Sequence, residues 1–279
     1  MRPTGAWAAT PGTGERSRGR RRGPRFSIRP ESTRLIFITL PARDEERTIG
    51  VLLWKVRKVM ADFGRPYEIL ALDDASADGT PDILERYRGF LPLRVIRPPR
   101  PLGYGAAVSR LLAEAVERSS YPKRDVAVTL QADFSEEPGD LVPMVKAIEG
   151  GADLVAGIPP DNDGAVPVRM RLSKAAAPLI LGRAYSAAPV SDPLDSYRAY
   201  RIVVLKKAFR EAGGDRPLAS SRGWGANLEI LSRTAPHAKR INERPCSGGL
   251  ARRGRASRFR ALPSLTELVS LRRTPWPAQ

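Results

Sequence analysis

A regular alternation of apolar runs and amphipathic segments between residues 34 and 156 constrains the fold of this chain more than any other feature. Residues 35–40 form a continuous apolar run, which is typical of a strand buried on both faces. The next segment, residues 46–63, carries apolar side chains at helical spacing, namely Ile49, Leu52, Leu53, Val56 and Val59. Because strands that alternate with helices form right-handed βαβ units, the pattern predicts an α/β fold with a mostly parallel, Rossmann-like sheet flanked by helices.

The same pattern continues along the first half of the chain and weakens in the second. Further strands are predicted at residues 67–72, 93–96, 126–130 and 153–156, and further helices at 78–87, 105–118 and 138–149. Beyond them the sequence favours helices at 169–184, 222–232 and 262–271, a strand at 240–245 and a basic loop at 252–260, whereas residues 198–209 give mixed signals. We therefore divide the chain into a tail at 1–32, a regular half at 33–160 and a less regular half at 161–279.

The chain is strongly basic, with 47 Lys and Arg against 30 Asp and Glu and a formal net charge of +17. Such a charge attracts polyanions, which include nucleic acid, anionic membrane surfaces and phosphorylated substrates, and does not choose among them. Residues 1–32 contain too little apolar surface to offset the entropy of ordering, so they are predicted to be disordered. Three interpretations of this tail stay open: a solvated segment without a role, a basic tether to a membrane surface, and a nucleic-acid-binding arm.

Residue counts exclude several kinds of site. Cys246 is the only cysteine, so an intramolecular disulfide and a cysteine-rich metal site are excluded. A Ser-His-Asp relay would depend on the only histidine, His237, which we interpret as a surface residue, and no G-x-S-x-G motif accompanies it. No run of about 18 apolar residues and no signal-peptide-like segment occurs, so we expect a cytoplasmic protein, with peripheral association at the inner membrane face left open.

Acidic side chains concentrate in the segments that follow the predicted strands, beyond whose carboxyl ends open α/β sheets bind ligands. Three such segments carry these polar residues: Arg43, Asp44, Glu45 and Glu46; Asp73, Asp74, Ser76 and Asp78; Gln131, Asp133, Ser135, Glu136 and Glu137. Crowded carboxylates need cations or donors, and oxygen ligands of this kind suit Mg²⁺ or Mn²⁺. We expect functional roles for Asp73 and Asp133, and capping or turn roles for Glu46 and Asp78. The glycines in residues 102–107 are only a weak phosphate-loop signal.

Four motifs resemble, in order and spacing, those of glycosyltransferase family 2 over residues 34–160. Residues 41–46 (P-A-R-D-E-E) resemble its P-x-[YR]-[ND]-E, and residues 72–80 (L-D-D-A-S-A-D-G-T) its D-D-x-S-x-D-G-T. Residues 102–107 (L-G-Y-G-A-A) resemble its G-x-G-A, and residues 131–138 (Q-A-D-F-S-E-E-P) its D-A-D-x-[SQ]-x-x-P. Residues 192–201 (D-P-L-D-S-Y-R-A-Y-R) are similar to the D-x-x-S-G-F-R-x-Y-R of dolichyl-phosphate and polyprenyl-phosphate mannosyltransferases. Glu229 and the basic residues 253–258 also resemble that subgroup.

The resemblance implies a GT-A fold and the inverting transfer of a hexosyl group from a nucleotide-sugar to a polyprenyl phosphate. It implies substrate-binding roles for Pro41, Arg43, Glu45 and Asp73 at the nucleoside, Gln131, Ala132 and Asp133 at the ribose and diphosphate, Asp192, and Arg198 and Arg258 at phosphates. Asp133 and Arg198 are the expected catalytic residues, and Asp133, with Gln131 as a weaker ligand, is expected to hold Mg²⁺ or Mn²⁺. Residues 33–160 then form a nucleotide-sugar-binding half, and residues 161–279 an acceptor-side half with a basic C-terminal segment.

The chain departs from the family pattern in two places. Gln131 stands where the family usually has the first Asp of D-A-D, which removes a charge beside the expected metal. Asp195 and Ser196 stand where Ser or Thr and Gly are common. Two other functions therefore stay open: the same donor chemistry with a glycan, protein or small-molecule acceptor, and a catalytically decayed binding protein. Nucleic acid is not an expected partner, and the sugar, the nucleobase and the oligomeric state are left open.

Overall fold

The computed structural model describes residues 34–160, 168–214, 216–221, 223, 225–247 and 269–271. The predicted tail at 1–32, the predicted basic loop at 252–260 with Arg258, and most of the predicted helix at 262–271 lie outside the described residues. Within the described ranges, no helix has both the length and the apolarity needed to cross a membrane.

The described residues form one mixed sheet of seven strands. These are β1 (Ile36–Ala42), β2 (Tyr67–Asp73), β3 (Leu93–Ile96), β4 (Val126–Thr129), β5 (Leu154–Ile158), β6 (Arg198–Arg201) and β7 (Ile241–Pro245). Their order is β3-β2-β1-β4-β6-β5-β7, and β1 pairs in parallel with both β2 and β4. β6 runs antiparallel to β4 and β5, while β7 is parallel to β5. The predicted α/β fold with a mostly parallel sheet is confirmed, and β6 is its antiparallel exception.

Eight α-helices flank this sheet in the described part of the chain. They are α1 (Ile49–Phe63), α2 (Thr80–Tyr87), α3 (Tyr104–Arg118), α4 (Leu141–Glu149), α5 (Val168–Leu181), α6 (Arg183–Ser186), α7 (Ile202–Glu211) and α8 (Gly225–Thr234). The mixed signals of residues 198–209 arise because β6 passes directly into α7, so the period changes from two to 3.6 within one segment. The helix predicted at 169–184 is divided at Gly182, whose φ of 52° is in the left-handed region.

The first helix begins at Ile49 rather than at residue 46. The preceding residues form a turn, in which the Thr48 N–H donates to the Glu45 carbonyl at 3.0 Å. The buried face of α1 is the predicted one with Met60 in place of Val59, because Val59 is only partly buried. This turn keeps the polar side chains after β1 outside the helix and available to the loops beside it.

Side chains alternate along β1 and divide the core into two layers. Ile36, Ile38 and Leu40 pack in the layer that contains buried residues of α1 and α4. Leu35 and Phe37 pack in the layer that contains buried residues of α3, α7 and α8. Because both faces are covered, successive positions of the strand are apolar, which explains the continuous run in the sequence. Since β1, β2 and β4 are parallel, the loops that follow them meet at one edge of the sheet.

The sheet includes strands from both sides of residue 160, because β6 and β7 extend the part formed by β1 to β5. A smaller apolar cluster joins α5 to the loop before β6 and to α8, with buried members Ala177, Leu181, Leu194, Leu228 and Leu271. The division into two functional halves at residue 160 stays a prediction.

Candidate functional site

The loops after β1 and β2 hold each other through side-chain-to-backbone hydrogen bonds. Asp44 Oδ1 accepts from the Ala77 N–H at 2.8 Å. Glu46 Oε2 accepts from the Gly79 N–H at 2.9 Å, and Asp78 Oδ2 accepts from the Glu46 N–H at 3.0 Å. The carboxylates of Glu46 and Asp78 thus satisfy backbone donors of the two loops, which is the turn-forming role expected of them.

The residues expected at the nucleoside lie in and directly after β1. Pro41 is partly buried within β1, whereas the Arg43 side chain is 50% exposed. Glu45 is only 5% exposed. Its N–H donates to Thr80 Oγ1 at 2.7 Å, and its Oε2 accepts from Thr48 Oγ1 at 3.1 Å. Glu45 is therefore anchored at the edge of the sheet, and Arg43 extends toward solvent.

Asp73 is the last residue of β2 and is completely buried. Its Oδ1 accepts from the Ser76 N–H at 3.0 Å, which closes a tight turn. Its Oδ2 accepts from Arg97 Nε at 3.0 Å, and the Arg97 side chain is half exposed. Nothing in the sequence pattern singles out Arg97, although it directly follows β3. Its guanidinium extends the polar rim beside a carboxylate that the sequence did predict.

The neighbouring Asp74 binds the backbone of the glycine-containing segment at the start of α3. Its two carboxylate oxygens accept from the Leu102 N–H at 2.6 Å and the Gly103 N–H at 3.0 Å. Gly103 has a φ of 84°, which favours glycine. These two donors are therefore engaged by a protein carboxylate, in keeping with the weak phosphate-loop signal of the sequence.

Ala132 and Asp133 follow β4 at the same edge and are 2% and 3% exposed. Asp133 Oδ1 accepts from the Ser135 N–H at 3.1 Å across a turn in which Phe134 has a φ of 64°. The strained turn and this hydrogen bond together orient the Asp133 carboxylate. Further along the same loop, Glu137 forms an ion pair with Lys55 of α1 at 2.8 Å.

The donor atoms at this edge fit a divalent cation only in part. Among the described residues, no group of three or more His, Cys, Asp or Glu side chains is arranged to hold a metal ion by itself. Asp133 supplies carboxylate oxygens, the hard ligands that Mg²⁺ and Mn²⁺ prefer. Mg²⁺ is usually held by one or two carboxylates together with substrate phosphates. The residues thus fit a cation shared with a diphosphate.

Gln131 lies beside the buried carboxyl group of Glu136, which is 6% exposed. Glu136 Oε2 accepts from the Gln131 N–H at 2.7 Å, and its Oε1 accepts from Ser196 Oγ at 2.5 Å. Burial raises the pKa of Glu136 well above its usual range, with Asp195 raising it further. Glu136 therefore joins the two places where the sequence departs from the family pattern.

Two further residues join this cluster. The Gln131 Nε2 donates to the Tyr104 hydroxyl at 2.7 Å, and that hydroxyl donates to Asn227 Oδ1 at 3.0 Å. Asn227, on α8, is 5% exposed and donates through Nδ2 to the Leu194 carbonyl at 2.9 Å. Tyr104 and Asn227 could not be identified from the sequence, because polar residues on amphipathic segments give no signal of contacts made across the fold. Glu136 is expected there only as one of the acidic residues after β4.

Arg198 is 1% exposed at the start of β6. Its Nη1 donates to the Asn227 carbonyl at 2.6 Å and its Nη2 donates to the Pro193 carbonyl at 2.7 Å. The guanidinium therefore ties the loop before β6 to α8. Its predicted contact with a substrate phosphate stays a prediction, as does that of Arg258, which lies outside the described residues.

Two further carboxylates near Arg198, those of Asp192 and Glu229, also bind backbone groups. Asp192 Oδ1 accepts from the Leu194 N–H at 3.0 Å. Glu229, on α8, accepts from the Ser220 and Ser221 N–H groups at 2.9 and 3.1 Å. Both carboxylates shape the loops next to the site, and the predicted substrate-binding role of Asp192 stays a prediction.

Comparison with known sequences identifies the family of the chain. The sequence profile of glycosyl transferase family 2 matches residues 37–209, which run from the second residue of β1 through β6 into α7. The chain belongs to this family. The predicted family and enzyme class, a family 2 glycosyltransferase, are thereby confirmed.

Relatives in this family extend the match beyond residues 37–209. The chain is 27% identical over 214 residues to undecaprenyl-phosphate mannosyltransferase of Micrococcus luteus, with 75% of the chain and 82% of the relative covered. It is 27% identical over 238 residues to polyprenol monophosphomannose synthase of Mycolicibacterium smegmatis, with 83% of each covered. It spans 52% of the length of undecaprenyl-phosphate 4-deoxy-4-formamido-L-arabinose transferase of Edwardsiella ictaluri, at 27% identity over 63% of the chain.

Solved structures share the fold. Glucosyl-3-phosphoglycerate synthase from Mycobacterium tuberculosis, in complex with Mn²⁺, uridine diphosphate and phosphoglyceric acid, superposes with a TM-score of 0.58. The match has 23% identity and covers 87% of this chain and 80% of the other. At this identity the likeness shows the fold alone.

Proposed function

We propose that this protein transfers a hexosyl group from a nucleotide-sugar to a polyprenyl phosphate, with inversion and with the assistance of Mg²⁺ or Mn²⁺. The observation that carries the proposal is the convergence of the family motifs at the carboxyl ends of β1, β2 and β4, where Asp73 and Asp133 are both buried. The two relatives named as mannose-transferring enzymes of polyprenyl substrates, matched over 75% and 83% of the chain, support the acceptor class.

On the donor side, the residues after β1 and β2 bind the nucleoside. Glu45 and Asp73 are buried acceptors at adjacent strand ends, and Pro41 and Arg43 flank them. Ala132 and Asp133 contact the ribose and the diphosphate, with Asp133 and Gln131 as the protein ligands of the cation. When bound, Mg²⁺ or Mn²⁺ offsets the negative charge that grows on the diphosphate leaving group.

On the acceptor side, an anionic phosphate oxygen attacks the anomeric carbon. Such a nucleophile carries its own negative charge, so the reaction needs no strong general base. This agrees with the position of His237, whose Nε2 lies 3.0 Å from Glu211 Oε2 rather than among the residues of the site. Asp192, Arg198 and Arg258 provide the acceptor-side and phosphate contacts in this proposal.

The deciding experiment is a donor and acceptor panel. Purified protein with Mg²⁺ or Mn²⁺ is incubated with GDP-mannose, UDP-glucose or UDP-N-acetylglucosamine, with and without undecaprenyl phosphate in detergent. We expect one donor to be consumed and its sugar to appear on the lipid phosphate. Donor hydrolysis without lipid labelling would favour a glycan, protein or small-molecule acceptor. Failure to bind or consume any donor would favour a decayed binding protein.

The location follows from the acceptor. We propose that the chain meets its lipid substrate by peripheral association with an anionic membrane surface on the cytoplasmic side. The net charge of +17 supports this, because basic residues near an anionic surface each contribute about 1 kcal/mol to binding.

A further inference from the structure

A hydrogen-bond chain of three bonds runs between two loops. It begins in the loop at 131–133, the donor loop, where the nucleotide-sugar is proposed to bind, and ends in the loop at 192–197, the acceptor-side loop. Gln131 Nε2 donates to Tyr104 Oη at 2.7 Å, Tyr104 Oη donates to Asn227 Oδ1 at 3.0 Å, and Asn227 Nδ2 donates to the Leu194 carbonyl at 2.9 Å. These residues belong to the loop after β4, the start of α3, the middle of α8 and the loop before β6. This hydrogen-bond chain therefore connects the proposed nucleotide-sugar side of the site with its proposed acceptor side.

The direction of this chain is set by its far end. The Leu194 carbonyl can only accept, so the Asn227 side chain must present Nδ2 to it and Oδ1 to Tyr104. Because Oδ1 can only accept, the single hydroxyl proton of Tyr104 must point at it. Tyr104 then has only acceptor capacity left toward position 131. All three hydrogen bonds can form only when the side chain at position 131 donates one of them to Tyr104.

An amide at position 131 meets this requirement and a carboxylate does not. An ionised Asp or Glu would compete with Asn227 for the one proton of Tyr104, leaving one of two acceptors unsatisfied. It would also lie beside Glu136, whose Oε2 already accepts from the Gln131 N–H at 2.7 Å. Crowded carboxylates repel one another. The presence of glutamine at this position therefore has a local structural reason.

The Tyr104 hydroxyl keeps the proton that the chain needs. An ordinary tyrosine hydroxyl, with a pKa of about 10, is protonated at neutral pH. The acceptor-side loop is held to the same structure at two other points. Ser196 Oγ donates to Glu136 Oε1, and Arg198 Nη2 donates to the Pro193 carbonyl.

We propose that Gln131 is a positioning residue that heads a one-way hydrogen-bond relay, through Tyr104 and Asn227, and so fixes the acceptor-side loop at residues 192–197 relative to the bound donor. This rests on the proposed function, because it takes the loop at 131–133 as the nucleotide diphosphate site. It assigns to the amide a purpose other than weak metal binding: occupancy of the donor loop is transmitted to the acceptor-side loop.

Hydrogen exchange of the backbone amides at 194–197, measured by mass spectrometry on the full-length protein, tests the relay. Gln131→Glu replaces the donor by an acceptor of nearly the same shape, and Tyr104→Phe removes both bonds at the hydroxyl. Each variant should speed exchange of these amides about fivefold, the factor that one hydrogen bond of ordinary net strength contributes. The double variant should be no faster than either single variant, because both changes break the same chain. Tyr121→Phe, at the other end of β4, is the matched control.

A second measurement separates positioning from mere stability. UDP and Mn²⁺ are added at concentrations that saturate each protein, and exchange at 194–197 is measured again. In the wild type we expect nucleotide to slow exchange there by about fivefold. In Tyr104→Phe we expect that response to disappear. A response of wild-type size in Tyr104→Phe, or single-variant effects that simply add, would overturn the relay.

The two proposals fail in different ways. If wild-type protein does not bind UDP with Mn²⁺ or any nucleotide-sugar, the proposed function is wrong. The relay is then decided by the exchange rates without nucleotide, where additive effects of Gln131→Glu and Tyr104→Phe contradict it.

Discussion

At the scale of single residues, Asp133 is the side chain on which the proposed chemistry depends most. Its carboxylate is buried and oriented by the Ser135 N–H. Asp133→Asn keeps the shape and removes the charge, so we expect Mn²⁺-dependent UDP binding to weaken by more than about tenfold, the lower end for loss of residues that only support a metal ligand. Calorimetric titration of UDP with and without Mn²⁺ measures this. Asp62→Asn, on the exposed face of α1, is the control and should bind like the wild type.

Substitution of Arg198 tests whether this side chain stabilises the fold or binds a substrate phosphate. Its guanidinium is buried and donates to two backbone carbonyls. Arg198→Met removes both of these hydrogen bonds from a buried position, and we expect the free energy of unfolding to fall by about 3 kcal/mol. Urea unfolding followed by circular dichroism gives this value. A change below about 0.5 kcal/mol, the size typical of surface substitutions, together with weaker UDP binding would favour the phosphate contact.

Cys246 offers a chemical test of the environment formed by the carboxyl groups near its thiol. Burial raises the pKa of its thiol to about 12, and the nearby carboxyl groups of Asp140, Asp195 and Glu136 raise it in the same direction. The thiolate is the reactive form, so alkylation by iodoacetamide at pH 8 should be on the order of 1000-fold slower than for a free cysteine, and should rise tenfold per pH unit. Because it is the only cysteine, intact-mass spectrometry reads the rate directly. Rapid labelling of folded protein would show that the thiol is not in this environment.

At the scale of elements, Gly105, the second residue of α3, shows that the second glycine of the segment 102–107 serves packing. A Cβ at this position would lie 2.4 Å from the Ser221 carbonyl oxygen and 2.9 Å from Ala226 Cβ. We therefore expect Gly105→Ala to lower the free energy of unfolding by about 1–3 kcal/mol, as overpacking does. Gly150→Ala is the control, because its Cβ would have no neighbour closer than 3.5 Å. Thermal unfolding of both variants measures the difference, and equal melting temperatures would contradict the close approach.

The elements themselves follow largely from local patterns. The strands and helices between residues 34 and 158 are predictable because both faces of the sheet are covered, which produces apolar runs between amphipathic helices. Because β6 passes directly into α7, no single hydrophobic period describes residues 198–209. Asp73 and Asp133 are predictable as candidates because each lies within a few residues of the carboxyl end of a buried strand. Tyr104 and Asn227 are not, since their bond joins residues 123 positions apart and depends on how α3 and α8 pack.

At the scale of the whole molecule, a protein with a positive net charge carries a locally acidic edge. The formal charge is +17, yet carboxylates crowd the edge of the sheet where the donor is proposed to bind. A bound cation would reconcile the acidic edge with an anionic nucleotide, while the basic remainder of the chain attracts anionic surfaces.

This balance predicts salt-dependent binding to anionic lipid. Full-length protein should co-sediment with vesicles of phosphatidylcholine containing 30% phosphatidylglycerol at low salt. It should dissociate at about 0.5 M NaCl, where the screening length falls below roughly 5 Å. Pure phosphatidylcholine vesicles are the control, and no binding is expected there. Deletion of residues 1–32 distinguishes the interpretations of the tail: loss of binding favours a tether, whereas unchanged binding assigns the attraction to the rest of the chain. Binding that survives high salt would instead indicate apolar insertion, because screening leaves burial of apolar surface intact.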